Sequence, residues 1–549
     1  SRFSVVMVDE YQDSNVAQFE LLKAITGPNT YLCVVGDDDQ SIYRFRGAEV
    51  KNILTFADSF PGTQVIRLER NYRSVGPILS VAGDVVSKNE GRLGKTLIAE
   101  RGDGKKPVLV FIPNQDDEAS FCAELIANSR KKGCPYADWA ILYRTNAQSL
   151  GFETEFLHRK IPYKVVGSLK FYEREEIKDS LAFLALAANG RDEIAFRRIV
   201  NKPARGLGAV TQDKIVDEGR RIIFGGESLD GAFNFDESFD YLSASRRLLE
   251  TLPKKARAGL SEFLHVIESL RDMLNAGTGQ PGAQSASQSA SQSESQNGLP
   301  SSSQSGSQRA SGAQELPDEP PAPGESDAGG GKKGRQAKGA VGLALFVDKM
   351  IEASGLLSYH QGQDEIAGTQ RVANMQELVN AASLYPLTRE GLVEFLEHIE
   401  LDRSMAAEEE DSDAVTLITV HNTKGLEFRR VAVTGLESGV FPRDDKKGDD
   451  LEEERRLMYV ACTRAMDELY LTSCAARRLY GRTAFMEPSP FLFEIDSDSI
   501  EVLGRLPRSY QQHLSYSAGN RKSGAADSTS VKAGSASPKS GVLNAGRPI

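Results

Sequence analysis

Short, continuous apolar segments that end in polar or acidic turns are the feature that most restricts the fold of this chain. They read SVVMV before Asp9, YLCVV before Gly36, TQVIRL before Glu69, VLVFI from Val108, WAILY from Trp139, VTLITV from Val415 and VAVTGL from Val431. Strands inside a covered sheet need apolar side chains on both faces, so such runs are typical of parallel sheets flanked by helices. The sequence therefore predicts an α/β fold with buried, mostly parallel sheets.

The region from residue 173 to about 400 has a different pattern. Its segments EEIKDSLAFLALA and LVEFLEHIE have the apolar spacing of amphipathic helices. Within it, residues 276–340 contain two leucines and no Val, Ile, Met, Phe, Tyr or Trp. Such a composition cannot bury enough apolar surface to offset the conformational entropy of folding. We therefore expect a mainly helical insertion that contains a disordered segment, 276–340, and a second segment of this kind at the carboxyl end.

Composition excludes several classes of protein. A chain of 549 residues exceeds the ~100–200 residues of one domain, and it has no run of the ~18–20 apolar residues that cross a bilayer. Its five cysteines are far apart without CxxC spacing, which argues against disulfides or a zinc site and favours a reducing cytoplasm. The net charge of −11 still permits a local basic groove for nucleic acid. Because Ser1 stands just before a strand pattern, we expect the chain to begin inside a domain.

Two adjacent carboxylates, Asp9 and Glu10, follow the first apolar run in VMVDEYQDSN. In phosphoryl-transfer enzymes, a carboxylate at a strand end can hold Mg²⁺, and a second one can orient and deprotonate the attacking water. A solvated acidic loop after a strand would give the same letters. The pair alone leaves both interpretations open.

The second run ends in VVGDDDQSIYRFRGA, where Gln40 follows the aspartates 37–39. Three consecutive aspartates repel one another unless cations lie nearby, and a neutral glutamine can sense a phosphate or a water. Tyr43, Phe45 and Arg46 combine aromatic rings with positive charge, as single-stranded nucleic acid binding requires. The alternative is that the two rings pack in a core.

Three further segments complete an ordered series: RLERNYRS, with Tyr72 and Arg73, then HNTKGLEF at 421–428 and EEERRLMYVACTRA at 452–465. In this order, the five segments resemble motifs II to VI of the superfamily 1A DNA helicases, the UvrD/Rep/PcrA group. The connecting segments AILYRTNAQS, IPYKVVGSLKFYEREEIKD and NKPARGLGAVTQDKI are similar as well. The resemblance covers nearly the whole chain apart from 276–340 and the carboxyl-terminal tail.

The resemblance implies RecA-like parallel-sheet motor domains. Residues 1–68 would be part of the first motor domain, 1A, and residues 69–172 and 407–505 would form the complete second motor domain, 2A. Residues 173–406 would be the helical 2B insertion, and 506–549 a low-complexity tail.

The resemblance also implies that the chain uses ATP and Mg²⁺. It implies that Asp9 binds Mg²⁺, that Glu10 activates the attacking water, and that Gln40 senses the γ-phosphate and couples it to DNA. It also implies that Tyr72 stacks on the adenine, that Glu427 contacts the ribose, and that Arg73 and Arg464 are arginine fingers. Lys424 lies in the same loop as Glu427, with either a nucleotide-binding or a structural role.

For DNA, the resemblance places Tyr43, Phe45, Arg46 and His421 on or near the single-strand track. Phe45 stands where a tryptophan is often found, so stacking should persist with less ring area. Gly206 and Gly208, before a helical pattern, suit a phosphate at a helix N-terminus, although a helix-capping turn fits too. The resemblance implies that this element of the 2B domain grips duplex DNA. Ser473 stands where relatives can carry a strand-separating aromatic residue, so none is assigned.

ATP hydrolysis needs a phosphate-cradling loop, GxxxxGK[ST], which in these helicases precedes the DEYQD motif. The only similar segment is GRLGKT, residues 91–96, where the full spacing would need glycine at Asn89. We therefore expect an amino-terminally truncated helicase that cannot hydrolyse ATP alone.

Three functions fit this sequence. The first is an ATP-driven 3′→5′ translocase and helicase acting on single-stranded and duplex DNA in repair or replication. The second is a DNA-binding fragment without catalysis, and the third is the helicase part of a RecB/AddA-type helicase–nuclease. The third is disfavoured because only 84 residues follow Ala465, and much of this stretch is low complexity. The sequence indicates no particular protein partner and no association with a membrane.

Overall fold

The computed structural model describes residues 3–224, 240–277, 342–367, 369–406 and 413–516. Their strands are β1 (Val5–Val8), β2 (Tyr31–Val34), β3 (Arg70–Asn71), β4 (Ile98–Ala99), β5 (Val108–Asn114), β6 (Trp139–Tyr143), β7 (Tyr163–Val166), β8 (Val415–Thr419), β9 (Phe428–Val433), β10 (Ala465–Leu479), β11 (Arg482–Phe485) and β12 (Glu501–Gly504). 

Their α-helices are α1 (Val16–Ile25), α2 (Lys51–Leu54), α3 (Phe56–Ser59), α4 (Gly76–Val86), α5 (Gln115–Lys131), α6 (Ser149–His158), α7 (Glu175–Ala188), α8 (Glu193–Ile199), α9 (Ala209–Phe224), α10 (Tyr241–Leu248), α11 (Lys254–Gly277), α12 (Leu343–Ala353), α13 (Leu356–Ala367), α14 (Arg371–Ala382), α15 (Arg389–Ala406) and α16 (Asp449–Thr463).

The first sheet consists of β1 and β2, which are parallel and paired from Val5 opposite Tyr31. Helix α1 connects them, and Asn15 begins it with a capping box that satisfies two N–H groups of the first turn. A small core around Tyr11 and Phe56, whose rings meet edge to face at 5.4 Å, joins the loop after β1 to α3. This packing fixes the loops at the carboxyl ends of both strands.

The prediction of a strand at TQVIRL was wrong. Residues 63–68, which form this run, have no regular secondary structure, and Ile66 and Leu68 are 81% and 80% exposed. A strand is stabilised by hydrogen bonds to a neighbour, and within the described residues the first sheet contains only β1 and β2. An apolar run without a pairing partner stays irregular.

The large sheet is mixed only at its hairpin. Its order is β12-β5-β10-β9-β6-β8-β7, all parallel, and β11 pairs antiparallel with β10. Helices α4 and α16 cover one face, and α5 and α6 cover the other. Strands β6 and β8 are buried along their whole length, as their continuous apolar runs predict. The expected α/β class with a large parallel sheet is confirmed.

Helices α7 to α15 form an insertion between β7 and β8, which we call the helical insertion. Its own core contains Phe183, Phe196 and Phe263. Arg174, at its beginning, donates to the backbone oxygen of Asn146 on the sheet side and to Oδ1 of α14's Asn374, both at 3.1 Å. The insertion is thus attached to the large sheet by buried polar contacts.

Two predicted low-complexity segments fall mostly outside the described residues. Of 276–340, only residues 276–277 are described, and they end α11. Of 506–549, residues 508–516 are helical, and Tyr510 is buried against Phe111 with ring centres 5.0 Å apart. The boundary predicted at 506 was therefore too early, because an aromatic ring beyond it covers the end of the sheet. The helices that the structure describes include none long and apolar enough to cross a membrane.

Candidate functional site

Loops from the first sheet and the large sheet meet in a cleft, which is the candidate site. Asp9 and Glu10 follow β1, and residues 37–46 follow β2. From the other side come residues 420–427, directly after β8, and Arg464, at the end of α16. Crevices outside the carboxyl ends of parallel strands are where α/β proteins usually bind ligands.

Asp9 and Glu10 form a sharp turn. The exposed Asp9 accepts the backbone N–H of Glu10 at 2.9 Å, and Glu10 has a φ of 50°, which non-glycine residues rarely adopt. Glu10 Oε2 accepts Nε2 of Gln12 at 2.6 Å and lies 2.9 Å from Nζ of Lys424. Partial burial opposes ionisation, but these contacts and the charge of Arg464 lower the pKa of Glu10. The carboxylate is therefore ionised at neutral pH.

Lys424 crosses the cleft. Besides Glu10, its ammonium contacts the carboxylate of Asp13 and lies 5.6 Å from the centre of the Tyr43 ring. Burial would lower the pKa of Lys424, but the hydrogen bonds to Asp13 and Glu10 raise it. Lys424 is thus a fixed cation that neutralises the carboxylates after β1.

Gln40 and Arg464 are brought together from opposite sides of the cleft. Gln40 Oε1 lies 3.4 Å from Nη2 of Arg464, and Nε2 of Gln40 donates to Asp37 at 2.7 Å. The guanidinium of Arg464 is buried and also donates to two backbone carbonyls at 3.2 Å. Burial and the repulsion of Arg73 lower the pKa of Arg464 to about 10. It remains a cation at neutral pH, oriented by backbone oxygens.

Arg73 and Glu427, expected to contact different parts of a nucleotide, contact one another. Nε of Arg73 donates to Oε2 of Glu427 at 2.7 Å, and half of the Glu427 side chain is exposed. Exposed pairs of this kind contribute only ~0–1 kcal/mol, so a ligand can separate them. The neighbouring Tyr72 ring is 70% exposed.

The three aspartates 37–39 are neutralised by the segment that resembles a phosphate-binding loop. Arg92 donates two hydrogen bonds of 2.6 Å to Asp39, Lys95 pairs with Asp37, and Asp38 accepts a backbone N–H at 2.9 Å. Residues 91–96 lead to β4, whereas a phosphate-binding loop leads into a helix. The segment holds carboxylates, which supports the prediction that it does not bind phosphate.

Within the described ranges, two groups of carboxylate or thiol atoms are close enough together for a metal ion: Asp37–Asp39, and Glu118 with Glu437 and Cys474. The carboxylates of both groups already form ion pairs with arginine or lysine side chains of the protein. In the second group, buried Arg477 lies 2.7 Å from Glu118 and 2.6 Å from Glu437. Asp9 belongs to neither group. Its single exposed carboxylate suits Mg²⁺ that keeps most of its ligands as water and phosphate oxygens.

Tyr43, Phe45, Arg46 and His421 form one aromatic cluster beside the cleft. The Phe45 ring centre lies 5.5 Å from His421 and 5.9 Å from Tyr43, and the Arg46 guanidinium lies 5.4 Å from the Phe45 ring. Tyr43 Oη donates to the backbone oxygen of His421. Burial and the repulsion of neighbouring cations lower the pKa of His421 to about 3, so the ring is neutral. Phe45 is 60% exposed, which contradicts a purely core role for it.

Gly206 and Gly208 lie directly before α9, as predicted. Gly206 has a φ of 74°, and a side chain there would meet Lys255, whose Cγ is 3.2 Å from the ideal Cβ position. The oxygen of Gly208 accepts N–H groups of Thr211 and Gln212. The turn thus starts a helix in the helical insertion, outside the cleft, and both glycines are exposed.

Sequence reasoning missed Arg44. Its backbone N–H donates to Glu453 at 2.9 Å, and its guanidinium lies 3.4 Å from Asp449 and 3.2 Å from Asp450, all on α16. It links the loop after β2 to the helix that ends in Arg464. The signal for it was the acidic run that opens α16, which stabilises a helix N-terminus and attracts a cation.

Sequence reasoning predicted a hairpin over LTSCAARRLYG but missed Tyr480, at the turn between β10 and β11. Ser473, considered for a strand-separating position, is buried, whereas Tyr480 and Phe485 are 62% and 92% exposed. The signal was the pair Tyr480–Gly481 between two strand patterns, because a glycine there favours a two-residue hairpin.

Comparisons with known proteins identify a family for nearly the whole chain. The family described as "UvrD-like helicase C-terminal domain" matches residues 66–476, and the "UvrD/REP helicase N-terminal domain" matches residues 1–61. The chain is 35% identical over 509 residues to "DNA helicase II" of Escherichia coli, covering 91% of this chain and 60% of that protein. It is 32% identical over 512 residues to "ATP-dependent DNA helicase PcrA" of Staphylococcus epidermidis, covering 91% and 59%. The chain thus spans about 60% of the length of these relatives.

Proposed function

This chain belongs to the UvrD-like helicase family, and from that membership we propose that it forms the motor of an ATP-dependent DNA helicase. The motor would move 3′→5′ along single-stranded DNA and unwind duplexes in repair or replication. The first sheet would belong to motor domain 1A, the large sheet to the RecA-like domain 2A, and the helical insertion to domain 2B.

The cleft between the two sheets is the observation that carries this proposal. Gln40 from one side and Arg464 from the other contact each other, and so do Glu10 and Lys424. A group that accumulates negative charge in this cleft would be contacted by the cations Arg464 and Lys424 of the large sheet. The carboxylate of Glu10, from the first sheet, would lie beside it as a base. Such an arrangement can couple the chemistry to the relative movement of two domains.

ATP would supply the phosphoryl group whose transfer drives the cycle. Asp9 would hold Mg²⁺ through its exposed carboxylate, and the ionised Glu10 would orient and deprotonate water. Arg464 and Arg73 would stabilise the charge of the transition state, a contribution worth 10³–10⁵ in rate in comparable enzymes. Gln40, which contacts Arg464, would report the state of the γ-phosphate to the loop that carries Phe45.

The adenosine part of the nucleotide would meet the exposed side of the cleft. Tyr72 is exposed enough to stack on the adenine. Glu427 would contact the ribose once its ion pair with Arg73 is broken. Lys424 would remain with Glu10 and Asp13, because its two ion pairs occupy it on the side of the first sheet.

A second candidate function is DNA binding without hydrolysis by this chain itself. The 549 residues contain no GxxxxGK[ST] sequence, and Lys95 of the similar segment is paired with Asp37. We therefore propose that a phosphate-binding loop must be supplied to this chain before ATP can be hydrolysed.

Single-stranded DNA would run along the aromatic cluster. The exposed ring of Phe45 would stack on a base, Arg46 would neutralise a phosphate, and Tyr43 and the neutral His421 would support the two. Duplex DNA would meet the exposed glycines before α9 and the exposed ring of Tyr480 at the hairpin turn.

The proposal is tested by DNA binding of the 549-residue chain, measured by fluorescence anisotropy at several salt concentrations. Arg46→Ala should weaken single-strand binding and reduce the slope of log K against log salt by about 1. Arg70→Ala is the matched control, because Arg70 is an exposed arginine paired with Glu100 away from the cluster. Equal salt slopes for the two variants, or no single-strand binding by the unmodified chain, would count against the proposed track.

A further inference from the structure

The turn between β10 and β11 is strained and carries an exposed ring. Leu479 pairs with Arg482, so the loop consists of Tyr480 and Gly481 alone. Both have positive φ, 55° and 70°, as in a two-residue turn that matches the twist of a hairpin. Tyrosine rarely adopts this conformation, because the Cβ of an L-residue then lies too close to the following carbonyl oxygen. The neighbours of the turn must therefore hold it in place.

The neighbour that holds the turn belongs to the helical insertion. The N–H of Gly481 donates to Oδ1 of Asn380 at 2.8 Å, and the contact is buried. Asn380 lies near the end of α14, is itself buried, and donates from Nδ2 to Glu377 at 3.0 Å. Its amide is thus oriented by a second hydrogen bond, so that the oxygen faces the turn.

The other side of the hairpin is held by the large sheet's own helix. The backbone N–H of Arg478 donates to Gln115 at 2.9 Å, and its guanidinium pairs with Asp116, both at the start of α5. The hairpin therefore has a fixed base in domain 2A, whereas its turn is bonded to the insertion. A movement of α14 relative to the sheet must break the Asn380 contact or bend the turn.

We propose that Asn380 is a positioning residue through which the helical insertion sets the conformation of the Tyr480–Gly481 turn. The role rests on the proposed function, in which the Tyr480 ring meets the DNA at the junction of duplex and single strand. Through this one hydrogen bond, the placement of the insertion determines where the aromatic ring stands. Asn380 itself does not contact DNA.

The link is tested first without DNA, by hydrogen exchange resolved to the Gly481 amide. The amide should be protected in the unmodified chain and exchange at least tenfold faster in Asn380→Ala. Asn374→Ala is the matched control, because Asn374 is a second buried asparagine of α14 whose partners are Arg174 and Glu176. Asn380→Asp, which keeps an acceptor oxygen, should retain most of the protection. Equal exchange in the unmodified chain and Asn380→Ala, or equal acceleration by both alanine variants, would overturn the link.

The DNA readout uses a partial duplex with 2-aminopurine at the junction. Tyr480→Ala and Asn380→Ala should reduce the fluorescence change on binding to a similar extent, and single-strand Kd should change less than twofold. Asn374→Ala should retain the fluorescence change. If Tyr480→Ala alters the signal and Asn380→Ala does not, Asn380 has no positioning role. If the unmodified chain binds no DNA, the proposed function fails, and the exchange experiment alone decides the link.

Discussion

Replacing Phe45 by alanine should weaken the grip on single-stranded DNA while leaving the fold intact. The ring is 60% exposed, and its contacts are the rings of Tyr43 and His421 and the guanidinium of Arg46. An exposed ring of this kind has a free face on which a base can stack. We therefore expect the loss to appear in binding more than in stability.

The two magnitudes follow from the exposure. Full burial of a phenylalanine is worth about 1.5–3 kcal/mol, so a ring that is mostly exposed contributes roughly 1 kcal/mol to folding. A lost base stack costs ~1–3 kcal/mol of binding, which corresponds to a roughly 5- to 150-fold weaker Kd. The salt dependence should not change, because no phosphate contact is removed.

The assay is fluorescence anisotropy with a labelled single strand at matched salt, together with chemical denaturation. Phe3→Ala is the matched control, since Phe3 is 55% exposed and stands before β1, at the opposite end of the strands from the cleft loops. If both variants bind equally well, or if Phe45→Ala loses affinity only through unfolding, the aromatic cluster is not the DNA track.

Three further outcomes are expected. The pKa of His421 in the folded chain is about 3, well below its usual value, so between about pH 6.5 and 3 the ring takes up a proton when the chain unfolds. Acidification through this range should therefore destabilise the unmodified chain more than the His421→Gln variant, as measured by denaturation at pH 7 and at pH 4.5. The chain should show no DNA-stimulated ATP hydrolysis, and activity that Lys95→Ala abolishes would refute this. Replacing residues 281–338 by a short Gly/Ser linker should change Tm by less than about 2 °C and leave DNA binding intact; a large drop in Tm would reveal packing by that segment.

The elements that could be predicted from sequence are those whose apolar pattern reports burial directly. Strands β6 and β8 follow from WAILY and VTLITV because both faces are covered. The run at 63–68 has the same pattern, but no strand of the described residues pairs with it, and a local pattern cannot report whether a partner exists. Tyr510 was likewise missed, because its partner Phe111 is far away in sequence.

The candidate site shows the same limit. Their place after apolar strand patterns brought Asp9 and Gln40 forward as candidates, and the resemblance to helicase motifs brought Arg464 forward. Neither could show that Arg73 pairs with Glu427, or that Lys95 neutralises Asp37, since both contacts join distant segments. Side-chain pairs across a cleft depend on how two sheets are placed, which no local pattern contains.

Arg464 gives the most direct test of the central claim, that the cleft between the sheets is the site of ATP hydrolysis. The measurement is DNA-stimulated ATP turnover by Arg464→Ala in a chimera that receives a GxxxxGK[ST] loop from a relative, with Arg464→Lys and Tm as controls for its buried position. We predict a fall of ~10³–10⁵ in turnover, with single-strand affinity without ATP nearly unchanged. Normal hydrolysis with lost DNA affinity would contradict the account.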